Sequence, residues 1–230
     1  MPTYLVRYYW WAYLWSKAVW FFDHQPVINS ILFGQYKKLM HATLARLEQP
    51  SGGRVLQLTC VYGSLTPCLI QQLSPAPLHI TDVASVQLKL VRSKAKDDSK
   101  LLITRMNAEH LGYKSSSFST IVLFFLLHEM PAEARRNTLS ECMRILSPGG
   151  SLLMTEYGSM PKRHLLYRFP PSRGLMTRLE PFLNGFWHED VLSLLEELAA
   201  SHGKCVEIIS HTSIFSSFYR VTEFRISAID

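Results

Sequence analysis

The chain carries little charge and no concentrated run of one sign. Asp, Glu, Lys and Arg make up 18% of its 230 residues, and the net charge of +6 is not gathered into any Lys/Arg block. With zinc-finger spacing also absent, nucleic acid is not expected as a partner. The four cysteines, Cys60, Cys68, Cys142 and Cys205, include no CxxC pair. That argues against a zinc site and a disulfide framework, and for a reducing, cytoplasmic setting. No basic start or small-residue cleavage site marks a signal peptide. A membrane span is also missing. Tyr4–Phe22 is interrupted by Arg7 and Lys17, each costing about 2.5–3.5 kcal/mol near a bilayer centre.

What is present is apolar and aromatic. Hydrophobic residues make up 47% of the chain, enough for a large core. Ten aromatic residues crowd positions 1–22, from Tyr4 to Phe22. Tyr4, Tyr8, Trp11, Trp15, Val19 and Phe22 follow a spacing of three and four, which predicts one helix with a wholly apolar face. That face suits either packing over the domain or the boundary between membrane and water. Pro26 predicts the start of a second helix reaching about Glu48. Pro50-Ser51-Gly52-Gly53 then divides a helical extension, 1–50, from a core domain, 51–230.

Strands and helices alternate beyond that point. Predicted strands cover Arg54–Cys60, Leu78–Val83, Leu101–Met106, Phe118–Leu126 and Ser151–Tyr157, with helices between them. A helix from about Glu189 to Ser201 follows, then strands at Lys204–Ser210 and Phe218–Ile226. This pattern predicts a mostly parallel seven-stranded α/β sheet with helices on both faces, in a Rossmann-like arrangement. Phe118–Leu126 is almost entirely apolar, as a strand buried on both faces requires. Gly158–Trp187 reads as a long loop. It holds Pro161, Pro170, Pro171 and Pro181, which read as helix breakers, and Lys162, Arg163, His164, Arg168, Arg173 and Arg178, with no acid before Glu180. A loop of that length implies a lid or a binding wall.

Ligands of open α/β sheets lie outside the carboxyl ends of the strands. The candidates there are Cys60, Val61, Tyr62, Gly63 and Ser64; Asp82 and Val83; Asn107 and Ala108; Leu127, His128 and Glu129; and Glu156 and Tyr157. Gly63 permits a tight turn and close backbone approach. Asp82 lies about 20 residues on, where a carboxylate can accept from both ribose hydroxyls; the alternative is a helix N-cap. The Asn107 amide can bond an adenine edge or serve a turn. His128 is either a base or a turn residue, and Glu129 either a polar rim group or a helix cap. His188, Glu189 and Asp190 also form a metal-capable group, which a helix N-terminus explains as well. Together the rim residues point to an adenosine-containing cofactor. The loop is not GxGxxG, which disfavours NAD.

The layout resembles the class I S-adenosylmethionine-dependent methyltransferases. VLQLTCVYG from Val55 to Gly63 is similar to their VLDLGCGxG, ITDVA from Ile80 to the acidic end of strand two, and MNAEHL from Met106 to the adenine loop. RILSPGGSLLMTEY from Arg144 to Tyr157 is similar to their fifth-strand segment. Gln57 stands in place of the acid, and Thr59 and Val61 in place of two glycines. Within that superfamily the chain resembles the rhodoquinone-biosynthesis methyltransferase-like proteins. WWAYLW from Trp10 to Trp15, CVYGSLTP from Cys60 to Pro67, VLFFLLHEMP from Val122 to Pro131 and RLEPF from Arg178 to Phe182 carry this resemblance. The family's usual acid after the glycine is Ser64 here.

The resemblance implies S-adenosylmethionine as an amino donor, a manganese ion with unassigned ligands, and replacement of a ubiquinone ring methoxy group by an amine. It implies cofactor contacts at Cys60, Val61, Tyr62, Gly63, Asp82, Val83, Asn107, Ala108 and Leu127, and catalytic roles for Tyr62, His128 and Glu129. A lipid quinone as substrate makes peripheral contact with the inner membrane face an expectation. Two other functions stay open: ordinary methyl transfer to a small or lipidic acceptor, and a binding module without catalysis.

Overall fold

The computed structural model describes residues 1–47, 53–95, 100–162 and 164–229. Its sheet is organised around the most apolar stretch of the chain. The strands are β1 (Val55–Leu58), β2 (Leu78–Asp82), β3 (Leu101–Arg105), β4 (Phe118–Phe124), β5 (Leu146–Tyr157), β6 (Lys204–Ile214) and β7 (Tyr219–Ala228). Their order is β3-β2-β1-β4-β5-β7-β6. The first five run parallel, and β7 lies antiparallel between β5 and β6. Strand order reverses between β1 and β4, so a crevice opens above their carboxyl ends. Leu56, Leu58, Ile121, Val122 and Leu123 are fully buried there, as expected for strands covered on both faces. The predicted seven-stranded, mostly parallel sheet is therefore the one observed.

The helices of the core domain are α6 (Leu65–Leu73), α7 (Ser85–Lys94), α8 (Ala132–Ile145) and α12 (Val191–Ser201). Asp190 caps α12, its side chain accepting from the N–H groups of Leu192 and Ser193. That accounts for one acid of the His188-Glu189-Asp190 group. Glu189 pairs with buried Arg135 at 2.6 Å.

Three predicted elements differ. The N-terminal helix is broken into α1 (Thr3–Tyr8), α2 (Trp10–Tyr13) and α3 (Ser16–Phe22), so the apolar face does not run continuously. Val19 is 2% exposed, whereas Trp15 is 51% exposed. The second helix is split into α4 (Gln25–Ile31) and α5 (Tyr36–Leu44) by a turn in which Phe33 and Gly34 both take positive φ. The basic loop is largely helical: α9 (Leu165–Arg168), α10 (Pro170–Leu179) and α11 (Leu183–His188). The proline pair that suggested a loop opens α10, where a missing N–H costs nothing. Ser147–Gly150 is an irregular excursion within β5, with Gly149 at positive φ. The expected boundary at 50/51 and Arg163 lie outside the described residues. Tyr36, Leu39 and Met40 of α5 join the same buried cluster as β1 and β4.

Candidate active site

One cavity lies over the carboxyl ends of β1, β2 and β4. Its floor includes Cys60, Val61, Tyr62, Asp82, Val83, Asn107, Ala108, His128 and Glu129, and its roof comes from α1 to α4 through Leu5, Trp11, Phe22 and Ile28. Tyr9, Tyr13 and Glu180 close one end. All the predicted candidates except Gly63, Ser64, Leu127 and Glu156 line this space.

Asp82 is held by two backbone donors. Cys60 N donates to one oxygen at 2.9 Å and Ala84 N to the other at 2.7 Å. Burial pushes the carboxyl up to about 6, against the lowering effect of those hydrogen bonds. Asn107 forms a local turn, its side-chain oxygen accepting from Glu109 N at 3.2 Å. The turn role is thus realised, and the residue still borders the cavity.

Gly63 is required by a neighbour within the chain. It sits at φ +80°, and a Cβ there would lie 2.7 Å from the Tyr36 hydroxyl. Its N–H donates to Asp23 Oδ1 at 2.9 Å, and Asp23 is also paired with Lys94. Ser64 bonds Gln25 behind the turn at 3.2 Å. Gln57, in the position of the acid, is fully buried; its amide donates to Thr59 O and accepts from Thr66 Oγ1. Tyr62 also ties elements together. Its hydroxyl donates to Ala12 O and accepts from Gln87 at 2.8 Å, while its ring stacks on Tyr13 with centroids 5.8 Å apart. Leu127 is fully buried beneath the rim, and its N–H donates to Glu156 Oε1 at 2.6 Å.

The strongest electrostatic feature lies just after β4, in the 3₁₀ turn Leu127–Glu129. Buried His128 meets Glu156 through Nδ1 at 2.8 Å, leaving Nε2 facing Glu180 at 3.8 Å. Ligand-capable atoms of His128, Glu129 and Glu180 all lie within 4.8 Å of one another. Burial opposes charge on His128, but Glu156, then Glu180 and Glu129, outweigh it and raise the imidazole to about 9. The same pair holds Glu156 below the usual carboxylate range, against its burial. Glu129 is pushed up to about 8, first by burial and then by Glu180. Burial also raises Glu180. Tyr13 donates to Glu129, and Tyr9 donates to Glu180 at 2.9 Å.

Sequence reasoning assigned no role to Glu180, Tyr9 or Tyr13. A signal existed for Glu180, the lone acid ending a base-rich segment. The two tyrosines were lost among ten aromatic residues, and only the breaks between α1, α2 and α3 turn them inward.

A family model described as a methyltransferase domain matches residues 55–150. A demethylmenaquinone methyltransferase of Lactiplantibacillus plantarum is 30% identical over 148 residues, covering 63% of this chain and 61% of that protein. The ubiquinone/menaquinone biosynthesis C-methyltransferase UbiE of Bordetella parapertussis is 27% identical, covering 59% of this chain and 53% of its own. The chain therefore spans between half and two thirds of the length of these curated relatives. Among solved structures, the [4+2]-cyclase SpnF superposes with a TM-score of 0.62 at 17% identity, covering 94% of this chain and 97% of that one. That likeness bears on the fold alone. Sheet order and matched segment together give the chain a Rossmann-like methyltransferase fold, with residues 55–150 similar to a methyltransferase domain.

Proposed function

We propose that the protein is an S-adenosylmethionine-dependent transferase acting on a ubiquinone-like lipid quinone. In this reading it replaces a ring methoxy group by an amine donated by S-adenosylmethionine. The observation that carries it is a single cavity with three kinds of wall. One is the rim formed by Asp82, Asn107 and Ala108. Another is the His128–Glu129–Glu180 cluster with its tyrosines. The third is the apolar underside of the N-terminal helices. The quinone class comes from the similar proteins, a demethylmenaquinone methyltransferase and a ubiquinone/menaquinone biosynthesis C-methyltransferase. A quinone tail resides in a bilayer, so the reading includes peripheral contact with a membrane surface.

Each wall has its own work. In this reading the Asp82 carboxylate, which lines the cavity, accepts ribose hydroxyls, and Asn107 borders the base. Leu5, Trp11, Phe22 and Ile28 exclude water and take the quinone's apolar body. Amination needs a deprotonated nitrogen beside the ring carbon. In this reading a C–N bond would form there and the C–O bond to the methoxy group would break, methanol leaving with the proton; the donor's α-hydrogen would then be removed with the quinone ring taking up the electron pair, and water would break the donor's own Cα–N bond, leaving an aminohydroquinone and a 2-oxo acid. Glu129 and Glu180, raised toward neutrality, are suited to accept and return that proton. His128, oriented through Nδ1 by Glu156, holds Nε2 toward them. Tyr13 and Tyr9 keep the two carboxylates in place.

A manganese ion is compatible with this donor set. One imidazole nitrogen and two carboxylates suit a hard to borderline divalent cation, and a carboxylate behind the ligating histidine is the usual supporting arrangement. His128, Glu129 and Glu180 would hold it. Bound there, the ion would supply a Lewis acid for the quinone carbonyl.

The decisive experiment incubates pure protein with manganese, a short-chain ubiquinone and S-adenosylmethionine labelled separately in its methyl carbon and amino nitrogen. Mass spectrometry of the quinone is expected to find the nitrogen label and no methyl label. The relatives' names favour a second reading, methyl transfer to a quinone-like acceptor, which predicts the reverse labelling. Neither label in the quinone, with cofactor bound tightly by calorimetry, would reject both.

A further inference from the structure

The cavity does not explain the outer side of its own roof. Trp10, Trp15, Trp20 and Phe21 are all at least half exposed, Trp20 by 64%. Beyond the acidic end of the site, Leu165, Phe169 and Leu175 of the α9–α10 segment are exposed by 78%, 61% and 59%. Neither α9 nor α10 contains a fully buried residue. Large apolar side chains left in water in such density mark an interaction surface.

The charges on these two segments are of one sign. Residues 1–22 contain Arg7 and Lys17 and no acid. Residues 158–179 contain Lys162, Arg163, Arg168, Arg173 and Arg178 and no acid. Among the described residues, all of these cations are exposed. The segments also touch. Phe182, just after α10, packs edge-on against Tyr8 at 5.3 Å, and Tyr9 bonds Glu180. On α3 a shallow depression is lined by Ser16, Lys17, Trp20 and Phe21. It places an ammonium and a hydroxyl beside two exposed rings.

We infer that the outer faces of α1–α3 and of α9–α10 form one docking face for an anionic lipid bilayer, with Lys17 and Ser16 receiving a lipid phosphate. Tryptophan favours the boundary between headgroups and acyl chains, and flanking cations add attraction to anionic lipid. A second copy of the chain is disfavoured as occupant, because a two-fold contact would bring basic face to basic face. No described helix is long and apolar enough to cross a membrane, so this contact lies along the surface. The inner side of the same short helices lines the cavity through Leu5, Trp11 and Phe22, so the bilayer would adjoin the site's roof. The inference concerns a surface and stands whichever group the site transfers.

The test is flotation of the full chain with vesicles containing phosphatidylglycerol, against pure phosphatidylcholine vesicles and in raised salt. Binding is expected to the anionic vesicles and to weaken with salt. The pair Trp20→Ser/Phe21→Ser, the pair Phe169→Ser/Leu175→Ser and the single Lys17→Glu are each expected to weaken it by about fivefold to tenfold. Circular dichroism and cofactor calorimetry should match the parent chain. Brominated lipids should quench tryptophan fluorescence. No partition into anionic vesicles, or partition indifferent to all three variants, overturns the inference. Loss confined to the α3 variants overturns the shared face. Self-association that shields the tryptophans without lipid binding overturns the bilayer as occupant.

Discussion

Replacing Glu156 by Gln tests the electrostatic core of the site. Glu156 is fully buried, and its two oxygens do different work. One accepts the Leu127 N–H, and the other faces His128 Nδ1. Gln keeps the shape and can keep the first bond, but it removes the charge that holds a proton on His128. In the parent chain the imidazole is raised from 6.5 to about 9. A folded-state value above the unfolded one stabilises the protein fully below about 6.5, and this stabilisation is lost as pH rises through about 9. Its size is on the order of 3 kcal/mol, since each pK unit is worth about 1.4 kcal/mol. Glu129, raised to about 8, also makes stability fall with pH, but starting near its unfolded value of 4.5. The parent's urea stability should therefore drop across pH 6.5–9 more steeply than that of Glu156→Gln. Histidine NMR should show the variant's His128 titrating below the parent value, because burial is then opposed only by Glu180 and Glu129. Parallel stability curves for the two proteins, or a parent His128 titrating near 6.5, would refute the reasoning.

Four further outcomes are expected. Gly63→Ala should lower stability by roughly 1–3 kcal/mol, because it adds a Cβ at positive φ 2.7 Å from the Tyr36 hydroxyl; Tyr36→Phe in the same chain should recover part of that loss in urea titrations. Tyr13→Phe removes the donor on Glu129; it should cost about 1 kcal/mol of stability and slow turnover at neutral pH, measured by quinone product analysis. Asp82→Asn should weaken S-adenosylmethionine binding about tenfold or more in calorimetry, and parent affinity should itself decline as pH falls through about 6 and Asp82 takes up its proton. Manganese binding, followed by electron paramagnetic resonance of the free ion, should weaken at least tenfold in Glu180→Gln and should release protons below pH 8, where His128 and Glu129 must shed them.

The sheet was legible because its signals are local and redundant. Phe118–Leu126 is apolar enough to require burial on both faces, and the turn residues between strands fixed the alternation. The place of the cavity followed from topology, since strand ends mark the crevice wherever the helices lie. Legibility failed where order depends on partners distant in sequence. The periodicity of Tyr4–Phe22 is a real helical signal, but Tyr9 and Leu14 interrupt it so that Tyr9 and Tyr13 reach Glu180 and Glu129. Those contacts span 171 and 116 residues, and no local pattern encodes them. The basic insert misled through its prolines, which read as breakers, although Pro170 and Pro171 occupy a helix start. Glu180 could have been singled out, as the acid where a cationic segment ends.

The altered first loop and the unusual N-terminus are parts of one arrangement. A loop with Thr59 and Val61 in glycine positions needs other ways to stay folded, and the chain supplies them from above. Thr59 itself takes φ +69°, a strain that its surroundings must hold. Gln57 accepts from Thr66 and donates to Thr59 O, bracing the turn from below. Asp23 takes the Gly63 N–H, Tyr36 occupies the space beside Gly63, and Tyr62 bonds Ala12 O. The backbone donor that such a turn offers to an anion is therefore satisfied by the chain's own carboxylate. With that position filled, the acidic groups that face the cavity among the described residues are Asp82 and the group around His128. A ligand entering this site meets the Asp82 carboxyl on one side and the His128–Glu129–Glu180 cluster on the other. Such a cavity selects for a bound molecule that presents a cation or an ionisable nitrogen toward Glu129 and Glu180.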